Sequence, residues 1–310
     1  MTTTSIDRRT FGTMMLAGVA AAALPSLGAA AQSSKLKARK LKIGYTTLIW
    51  GAVPRAPEKL EPAVTDIANL GFHGFETFAS ILADWDAKGT LAPLLQQHRV
   101  PLVSAYAPLQ LHDASKRKED LAKVIDWGKV LKKHGGRFMV LAPSGVKRES
   151  YNFADSKATI VAALNEYAKA MNDLGLEAGL HQHTGTAVET RDETYAVMEA
   201  VDTKVCQFAP DVGQLQKGGA DAAKVVKDFL SITTHMHFKD WNGGEHMAGY
   251  CPLGQGKVDL VSILDSMETH PKADVMVELD GSANMPYTPL ETAQISKAFL
   301  EKQGYTFRRS

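Results

Sequence analysis

Cysteine is scarce in this chain: its 310 residues contain only Cys206 and Cys251. A framework of several disulfides, as in small secreted domains, is therefore excluded. An oxidising compartment would permit one bridge between the two cysteines, but sequence alone does not place their Cα atoms within bonding range. Because Cys206 lies in an apolar run, we expect it to be a small core residue rather than half of a disulfide.

An excess of charge of one sign is also lacking. The chain has 35 Lys and Arg against 34 Asp and Glu, a formal net charge of +1. This balance gives no reason to expect nucleic acid or an anionic membrane surface as a partner. The 45% of hydrophobic residues is typical of a globular protein with one large core or two modest ones.

The N-terminus carries the features of an export signal. Arg8 and Arg9 precede Phe11, an uncharged stretch follows over 12–28, and Ala29–Ala31 supplies small residues for cleavage. The adjacent arginines resemble a twin-arginine signal, so we predict that residues 1–31 are removed and that the mature chain is periplasmic. An uncleaved membrane anchor is the alternative. It is disfavoured because the apolar part is shorter than the span of about 20 residues that a bilayer needs.

From residue 40 onward, short β-rich runs alternate with longer amphipathic segments, which predicts an α/β protein with a parallel sheet. The predicted strands are 41–46, 74–78, 101–106, 137–142, 176–181, 205–209, 232–238 and 275–279. The clearest predicted helices are 117–134, 155–174, 220–229 and 260–270, with Asp155 and Asp221 at N-termini and Gly175 as a stop. Eight strands without a break in composition favour a single (β/α)8 TIM barrel over 40–305.

A doubly wound open sheet is the alternative architecture. Such sheets place a glycine-rich phosphate loop after the first strand. The segment here, Gly44-Tyr45-Thr46-Thr47-Leu48, has the wrong spacing for that loop. The barrel is therefore favoured.

Four successive predicted strands end in imidazoles and carboxylates. These endings are His181-Gln-His183, Pro210-Asp211, His235-Met-His237-Phe-Lys239-Asp240 and Glu278-Leu-Asp280. In a TIM barrel such residues meet at the C-terminal mouth, and strand alternation directs every second side chain to the same face. Charged groups pointing inward are costly unless they pair with each other or with a metal. The pattern favours a site for Mn²⁺, Co²⁺, Mg²⁺ or Zn²⁺ over a purely structural polar network.

The same motifs resemble those of the xylose-isomerase-like barrel superfamily of sugar isomerases, epimerases and dehydratases, and within it the inosose-dehydratase-like branch. The resemblance covers about 41–299. Its motifs are His181-Gln-His183-Thr-Gly185-Thr186, Pro210-Asp211-Val-Gly213-Gln214, His235-Met-His237-Phe-Lys239-Asp240, Pro252-Leu-Gly254-Gln-Gly256 and Val277-Glu278-Leu-Asp280.

The resemblance implies one divalent metal ion, with Mn²⁺ as the first expectation, bound by Asp211, His237 and Glu278. Many superfamily members supply the fourth ligand as a Glu on strand five, where this chain has His181. We take His181 as that ligand, and His183 stays open as the alternative. Such an ion polarises a carbonyl and stabilises the enediolate that forms when the α proton is lost.

The base must come from a nearby side chain. His183, farther along the same face as His181, is the first candidate. Glu76 is the second, with helix capping or surface exposure as its alternative interpretation. Lys239 either neutralises a substrate oxygen or forms a salt bridge with Asp240.

The remaining predicted site residues would bind the substrate. Trp50 and Trp241 follow strands one and seven and are candidates for stacking on a sugar ring, with rim packing as the alternative. His246 lies in a glycine-rich loop that could cover the site. Gln214 and Asp280 flank the predicted ligands.

These observations predict a metal-dependent lyase or dehydratase that acts on a keto-sugar, keto-glycoside or inosose-like small molecule. A sugar isomerase or epimerase with the same site is the alternative, and a non-catalytic periplasmic sugar-binding protein is the alternative from another class. A metal-dependent endonuclease is disfavoured because it needs more ligands and a more basic chain. No nucleic acid or membrane partner is expected for the mature chain, and a homo-oligomer is left open.

Overall fold

A computed structural model describes residues 39–281 and 284–309 of the chain. The predicted export segment, residues 1–31, lies outside these ranges and stays a prediction. Within the described ranges, no helix has the length and apolar character needed to cross a bilayer.

The centre of the fold is a ring of eight parallel strands. The ring strands are β1 (Lys42–Thr46), β2 (Phe75–Phe78), β3 (Leu102–Leu109), β4 (Phe138–Pro143), β5 (Glu177–Leu180), β6 (Cys206–Phe208), β7 (His235–Phe238) and β10 (Asp274–Val277). They pair in the order β6-β5-β4-β3-β2-β1-β10-β7. Two short strands, β8 (Asp240–Trp241) and β9 (Tyr250–Cys251), form an antiparallel pair after β7. All eight predicted strands are confirmed, with ends shifted by up to three residues.

The ring closes between its first and last strands. Isolated parallel bridges join Phe208 to Thr233 and Asp211 to His237. The His237 amide also donates a hydrogen bond to the Pro210 carbonyl over 2.9 Å. The predicted TIM barrel is thus confirmed and the open-sheet alternative is wrong, because β7 returns to lie beside β6.

Helices surround the ring and follow its strands. They are α1 (Leu60–Asn69), α2 (Ala79–Ala87), α3 (Leu91–His98), α4 (Arg117–Lys133), α5 (Phe153–Asp173), α6 (Arg191–Met198), α7 (Val212–Lys217), α8 (Ala222–Asp228), α9 (Leu260–Met267) and α10 (Pro289–Lys302). Polar side chains define several starts: Asn152 caps α5 and Asp221 caps α8. Asp155 lies in the first turn of α5. The left-handed Gly175 follows the end of that helix, as predicted.

The strands are apolar because helices cover them outside and side chains fill the ring inside. All six residues of β4 are buried. Cys206 and Cys251 are both buried free thiols, and Cys206 lies in the hydrophobic core, as predicted. The exception to this apolar interior is the C-terminal end of the ring, where several buried side chains are charged or titratable.

Candidate metal and active site

Three of the four predicted ligands converge at the C-terminal mouth. His181, Asp211 and His237 each offer one donor atom, and these atoms lie within 4.8 Å of one another. Asp211 and His237 lie close together because they are bridge partners at the closing seam, the place where the β7 side of the sheet meets the β6 side. Asp211 also caps α7, because its Oδ1 accepts the backbone N–H of Gln214 over 2.9 Å. The other carboxylate oxygen, Oδ2, faces the predicted metal ligands and Lys239.

Glu278 joins the group through His237. It directly follows β10, and its Oε2 contacts Nδ1 of the His237 ring. Burial lowers the pKa of His237, but the Glu278 and Glu76 carboxylates raise it well above its usual value. Burial raises the pKa of Glu278, but His237 and Lys239 hold it well below its usual range. The pair thus favours a cation, either a proton or a metal, between its two facing atoms.

The unpaired atoms of this group fit a divalent cation. Asp211 Oδ2, His237 Nδ1 and Glu278 Oε2 are all buried without a hydrogen-bond partner of acceptable geometry. His181 donates its Nδ1 hydrogen to the Ala209 carbonyl over 3.1 Å, so its Nε2 carries the ring's free lone pair. Leaving such atoms unpaired is costly. Two imidazoles and two carboxylates are a ligand set suited to Mn²⁺ or Zn²⁺.

Lys239 is a fully buried cation beside these carboxylates. Its Nζ lies 2.8 Å from Asp211 Oδ2, 3.2 Å from Asp280 Oδ2 and 3.5 Å from Glu278 Oε1. Burial lowers the pKa of Lys239, but these three carboxylates raise it well above its usual value. The Gly213 backbone packs on its stem, and a Cβ there would lie 2.8 Å from the lysine Cγ. Lys239 does not line the cavity described below, so its contact with substrate stays a prediction.

The alternative salt bridge between Lys239 and Asp240 is wrong. The two are consecutive, so their side chains point to opposite faces. Asp240 instead accepts backbone hydrogens from Gly254 and Gly256 over 2.9 Å and from Val258 over 3.2 Å. A Cβ at Gly256 would collide with the Asp240 carboxylate, so this segment needs glycine there.

His183 is held in one tautomer by its neighbours. Gln214 Oε1 accepts hydrogen bonds from the Thr184 backbone N–H over 3.2 Å and from the Thr184 hydroxyl over 2.6 Å. These bonds fix the side-chain orientation of Gln214, so its NH2 group points toward His183. Its Nε2 lies 2.7 Å from Nε2 of His183 and 3.3 Å from Asp280 Oδ2. The other ring nitrogen, Nδ1, donates to the Thr184 carbonyl over 2.7 Å. His183 therefore carries hydrogen on Nδ1 and a lone pair on Nε2.

A cavity of about 350 Å³ opens beside this group. Its titratable wall is formed by Glu76, His183, His237, Glu278 and Asp280. Its apolar wall is formed by Leu48, Phe78, Tyr106, Pro108 and Pro143. No Lys or Arg is among the described residues that line it. The charged part of the described lining is therefore acidic.

Three predicted substrate-binding residues lie outside this cavity. Trp50 donates its Nε1 hydrogen to Asp66 over 2.8 Å and packs against Tyr45 at a centroid distance of 5.3 Å. Neither Trp241 nor the exposed His246 lines the cavity wall formed by the described residues. Their contact with substrate stays a prediction. Asp280 does line the cavity, and Gln214 reaches it through two lining residues, His183 and Asp280.

Glu76, the second candidate base, is buried among hydrogen-bond donors. Its Oε1 lies 2.6 Å from Nε2 of His237, and its Oε2 lies 2.9 Å from Nε2 of His235. The Ser104 hydroxyl donates to Oε2 over 2.5 Å. Three of its roughly four acceptor positions are thus in use.

Sequence reasoning missed Ser104 and Tyr106 as site residues. The Tyr106 ring lies against His181 at 5.4 Å and His237 at 6.1 Å, and it forms part of the cavity wall. The signal was present, because residues 104 and 106 alternate with apolar neighbours on the third predicted strand. Applied there, the parity argument used for strands five to eight would have placed both inside.

The geometry defines a class: a parallel (β/α)8 barrel whose mouth gathers imidazoles and carboxylates suited to one divalent cation. A family model described as "Xylose isomerase-like TIM barrel" matches residues 64–303. The chain belongs to this family, as its motifs indicated.

Curated relatives include inosose dehydratases. That of Salmonella typhimurium is 27% identical over 175 residues, covering 51% of this chain and 58% of the relative. That of Geobacillus kaustophilus is 23% identical over 192 residues, covering 58% and 61%. The chain thus spans about three fifths of the length of these two relatives.

Solved structures share the fold. The probable 3-DHS dehydratase AsbF of Bacillus anthracis has a TM-score of 0.69 at 13% identity, covering 84% of this chain and 99% of that one. The 3-keto-D-glucoside 4-epimerase YcjR of E. coli has a TM-score of 0.65 at 16% identity, covering 85% and 99%. The IOLI protein with a binding zinc atom has a TM-score of 0.66 at 17% identity, covering 85% and 98%.

Proposed function

We propose that this protein is a periplasmic, divalent-metal-dependent lyase that dehydrates a neutral keto-sugar, keto-glycoside or inosose-like cyclitol. The observation that carries the proposal is the position of His183. Its ring lies in the cavity wall and neighbours the proposed ligand His181 at a ring distance of 6.2 Å. The lone pair on its Nε2 accepts a hydrogen bond from the Gln214 side chain, which can turn to Asp280 and free that nitrogen. An imidazole so placed is suited to take a proton from carbon.

A divalent cation bound by His181, Asp211, His237 and Glu278, with Mn²⁺ as our first choice, would polarise the substrate carbonyl and stabilise the negative charge that develops there. His183 accepts the α proton on Nε2. The protonated ring then returns a proton to the β-hydroxyl as the C–O bond breaks, and water leaves. Gln214 holds the ring before proton transfer. Asp280 gives the Gln214 amide another acceptor, so the Nε2 lone pair becomes free before the α proton is taken.

The cavity wall supports a neutral substrate. Phosphorylated sugars are normally bound by Arg, Lys or helix N-termini. The described lining residues include three carboxylates and no Lys or Arg, which disfavours an anionic ligand. The names of the curated relatives point to the same class, because inosose is an uncharged cyclitol ketone. An exported enzyme would also meet unphosphorylated sugars.

The test is NMR in D₂O with Mn²⁺-loaded protein and a panel of inososes and 3-keto-glucosides. The proposal expects loss of the α-proton signal together with a dehydrated product. Deuterium incorporation with an intact hydroxyl would identify an isomerase or epimerase that shares the first step. The matched control is the His183→Ala variant, in which exchange should stop. Binding of a sugar without exchange or product in any member of the panel would instead identify a binding protein.

A further inference from the structure

We propose that Glu76 is a positioning residue of the metal site, because its carboxylate fixes His237 in the tautomer whose Nδ1 is free to bind a cation. This inference rests on the metal site proposed above and gives Glu76 a role other than that of a base. It joins β2 to β7, two ring strands that do not pair with each other.

Hydrogen-bond chemistry determines the tautomer. An ionised carboxylate only accepts hydrogen bonds. Both oxygens of Glu76 face side-chain groups that can donate, His237 on Oε1 and His235 with the Ser104 hydroxyl on Oε2, as expected of a carboxylate that accepts on both sides. The 2.6 Å contact between Glu76 Oε1 and His237 Nε2 therefore requires hydrogen on Nε2. A neutral ring with hydrogen on Nε2 has its lone pair on Nδ1.

The other side of the ring shows where that lone pair points. Nδ1 of His237 is in direct contact with Oε2 of Glu278. Two facing lone pairs repel unless a cation lies beside both. Metal-binding imidazoles commonly donate their second N–H to a carboxylate, which orients the ring and makes the bound nitrogen a better donor. Glu76 meets that description.

The Glu76 carboxylate is itself held in place from a second direction. His235 donates to its Oε2 over 2.9 Å, and the His235 ring stacks on Phe138 with centroids 4.7 Å apart and an interplanar angle of 12°. Ser104 donates to the same oxygen over 2.5 Å. Glu76, His235 and Ser104 are all at most 1% exposed, so water does not compete for these bonds. The carboxylate is thus oriented before any metal binds.

The sharpest test is Glu76→Gln in metal-stripped protein, titrated with Zn²⁺ by calorimetry. The amide can accept from only one histidine and presents an N–H to the other. When the NH2 group of the introduced amide faces His237, Nε2 of the ring must accept, and the ring hydrogen moves to Nδ1. Nδ1 then has no lone pair with which to bind zinc. We expect Zn²⁺ affinity to fall about 10- to 100-fold. Circular dichroism and the melting temperature confirm folding.

The matched control is Ser104→Ala, which removes one hydrogen bond from the same carboxylate but leaves both histidine contacts. Zn²⁺ affinity should fall by less than the roughly tenfold lower limit expected for Glu76→Gln, because both histidine contacts and the His237 tautomer are kept. Equal losses in the two variants, or no loss in Glu76→Gln, would overturn the inference while leaving the metal site intact. A wild-type protein that takes up no Zn²⁺ would overturn the proposed metal site, and the inference with it.

A measurement on wild-type protein covers the case in which Glu76→Gln does not fold. Long-range ¹H–¹⁵N NMR of the Zn²⁺-loaded protein reports which imidazole nitrogen carries hydrogen. The His237 signals are assigned by their absence from His237→Gln. We expect hydrogen on Nε2 and zinc on Nδ1. Hydrogen on Nδ1 would contradict the inference.

Discussion

The two ends of the barrel have cavities of similar size but differ in how their charged side chains are paired. The C-terminal cavity measures about 350 Å³ and the N-terminal one about 370 Å³. At the N-terminal end, Arg137 pairs with Asp274, and the Thr234 hydroxyl donates to Glu177 over 2.7 Å. At the C-terminal end, Lys239 contacts Asp211, Glu278 and Asp280 at once, and Glu278 also contacts His237.

This difference teaches that cavity size does not distinguish a functional site from a structural one here. At the N-terminal end, the charged side chains named above have partners within the protein, as expected of an end that serves stability. At the mouth, one cation, Lys239, is shared by three carboxylates, and the His237 ring also contacts one of them. This crowding of carboxylates and imidazoles occurs at the end where we propose that a metal ion binds.

The largest expected effect separates chemistry from metal binding at the mouth. His183→Ala should lower kcat about 10²- to 10⁴-fold, the usual loss when a general base is removed. Metal content should stay close to that of wild type, whereas Asp211→Ala should lose both metal and activity. Kinetics beside elemental analysis checks this. If His183→Ala is isolated without metal, His183 is a ligand and the base lies elsewhere.

The next effect compares one cation at each end of the barrel, the buried Lys239 and the exposed Arg137. Lys239→Met leaves buried carboxylates uncompensated and should lower the free energy of unfolding by about 3–5 kcal/mol. Arg137→Met removes a more exposed cation at the N-terminal end and should cost about 1 kcal/mol or less. Chemical denaturation in EDTA measures both. Excess Mn²⁺ should restore part of the Lys239→Met loss and none of the Arg137→Met loss, and equal restoration would contradict the assignment of the site.

Metal removal should destabilise the wild-type protein by an amount that depends on metal concentration. Binding to the folded state alone adds RT ln(1 + [L]/Kd), or about 2.7 kcal/mol at a metal concentration 100 times Kd. The melting temperature should therefore rise with added Mn²⁺ and fall with EDTA. The triple variant Asp211→Ala, His237→Ala, Glu278→Ala is the control, because its melting temperature should not respond. A response of equal size in that variant would place the metal outside the mouth.

The smallest effect concerns the N-terminal end. Thr234→Val removes the hydrogen bond to Glu177 and should cost about 1 kcal/mol of stability. Neither kcat nor Mn²⁺ affinity should change, since the substituted residue is at the opposite end of the barrel. A change in either would show that the two ends are coupled.

Much of the fold and part of the site could be predicted because both follow from alternation along single strands. Apolar runs gave the eight strands, and parity placed His181, Asp211, His237 and Glu278 on the inner face. Contacts across the ring could not be predicted this way. Glu76 and His235 are 159 positions apart, and only closure of the barrel brings them together. For the same reason, position along a strand could not show that Trp50 is not among the described residues that line the cavity. Its ring is instead hydrogen-bonded to Asp66 on α1.

The closing seam has a consequence for assembly. Within the described part of the chain, β6 and β7 are joined through isolated bridges rather than a continuous ladder, and one bridge links Asp211 to His237. A cation bound by these two residues would link β6 to β7, the two strands that end the sheet order. Metal binding and closure of the barrel would then be one event. A half-formed barrel would lack its ion, and a barrel stripped of its ion would open first at this joint.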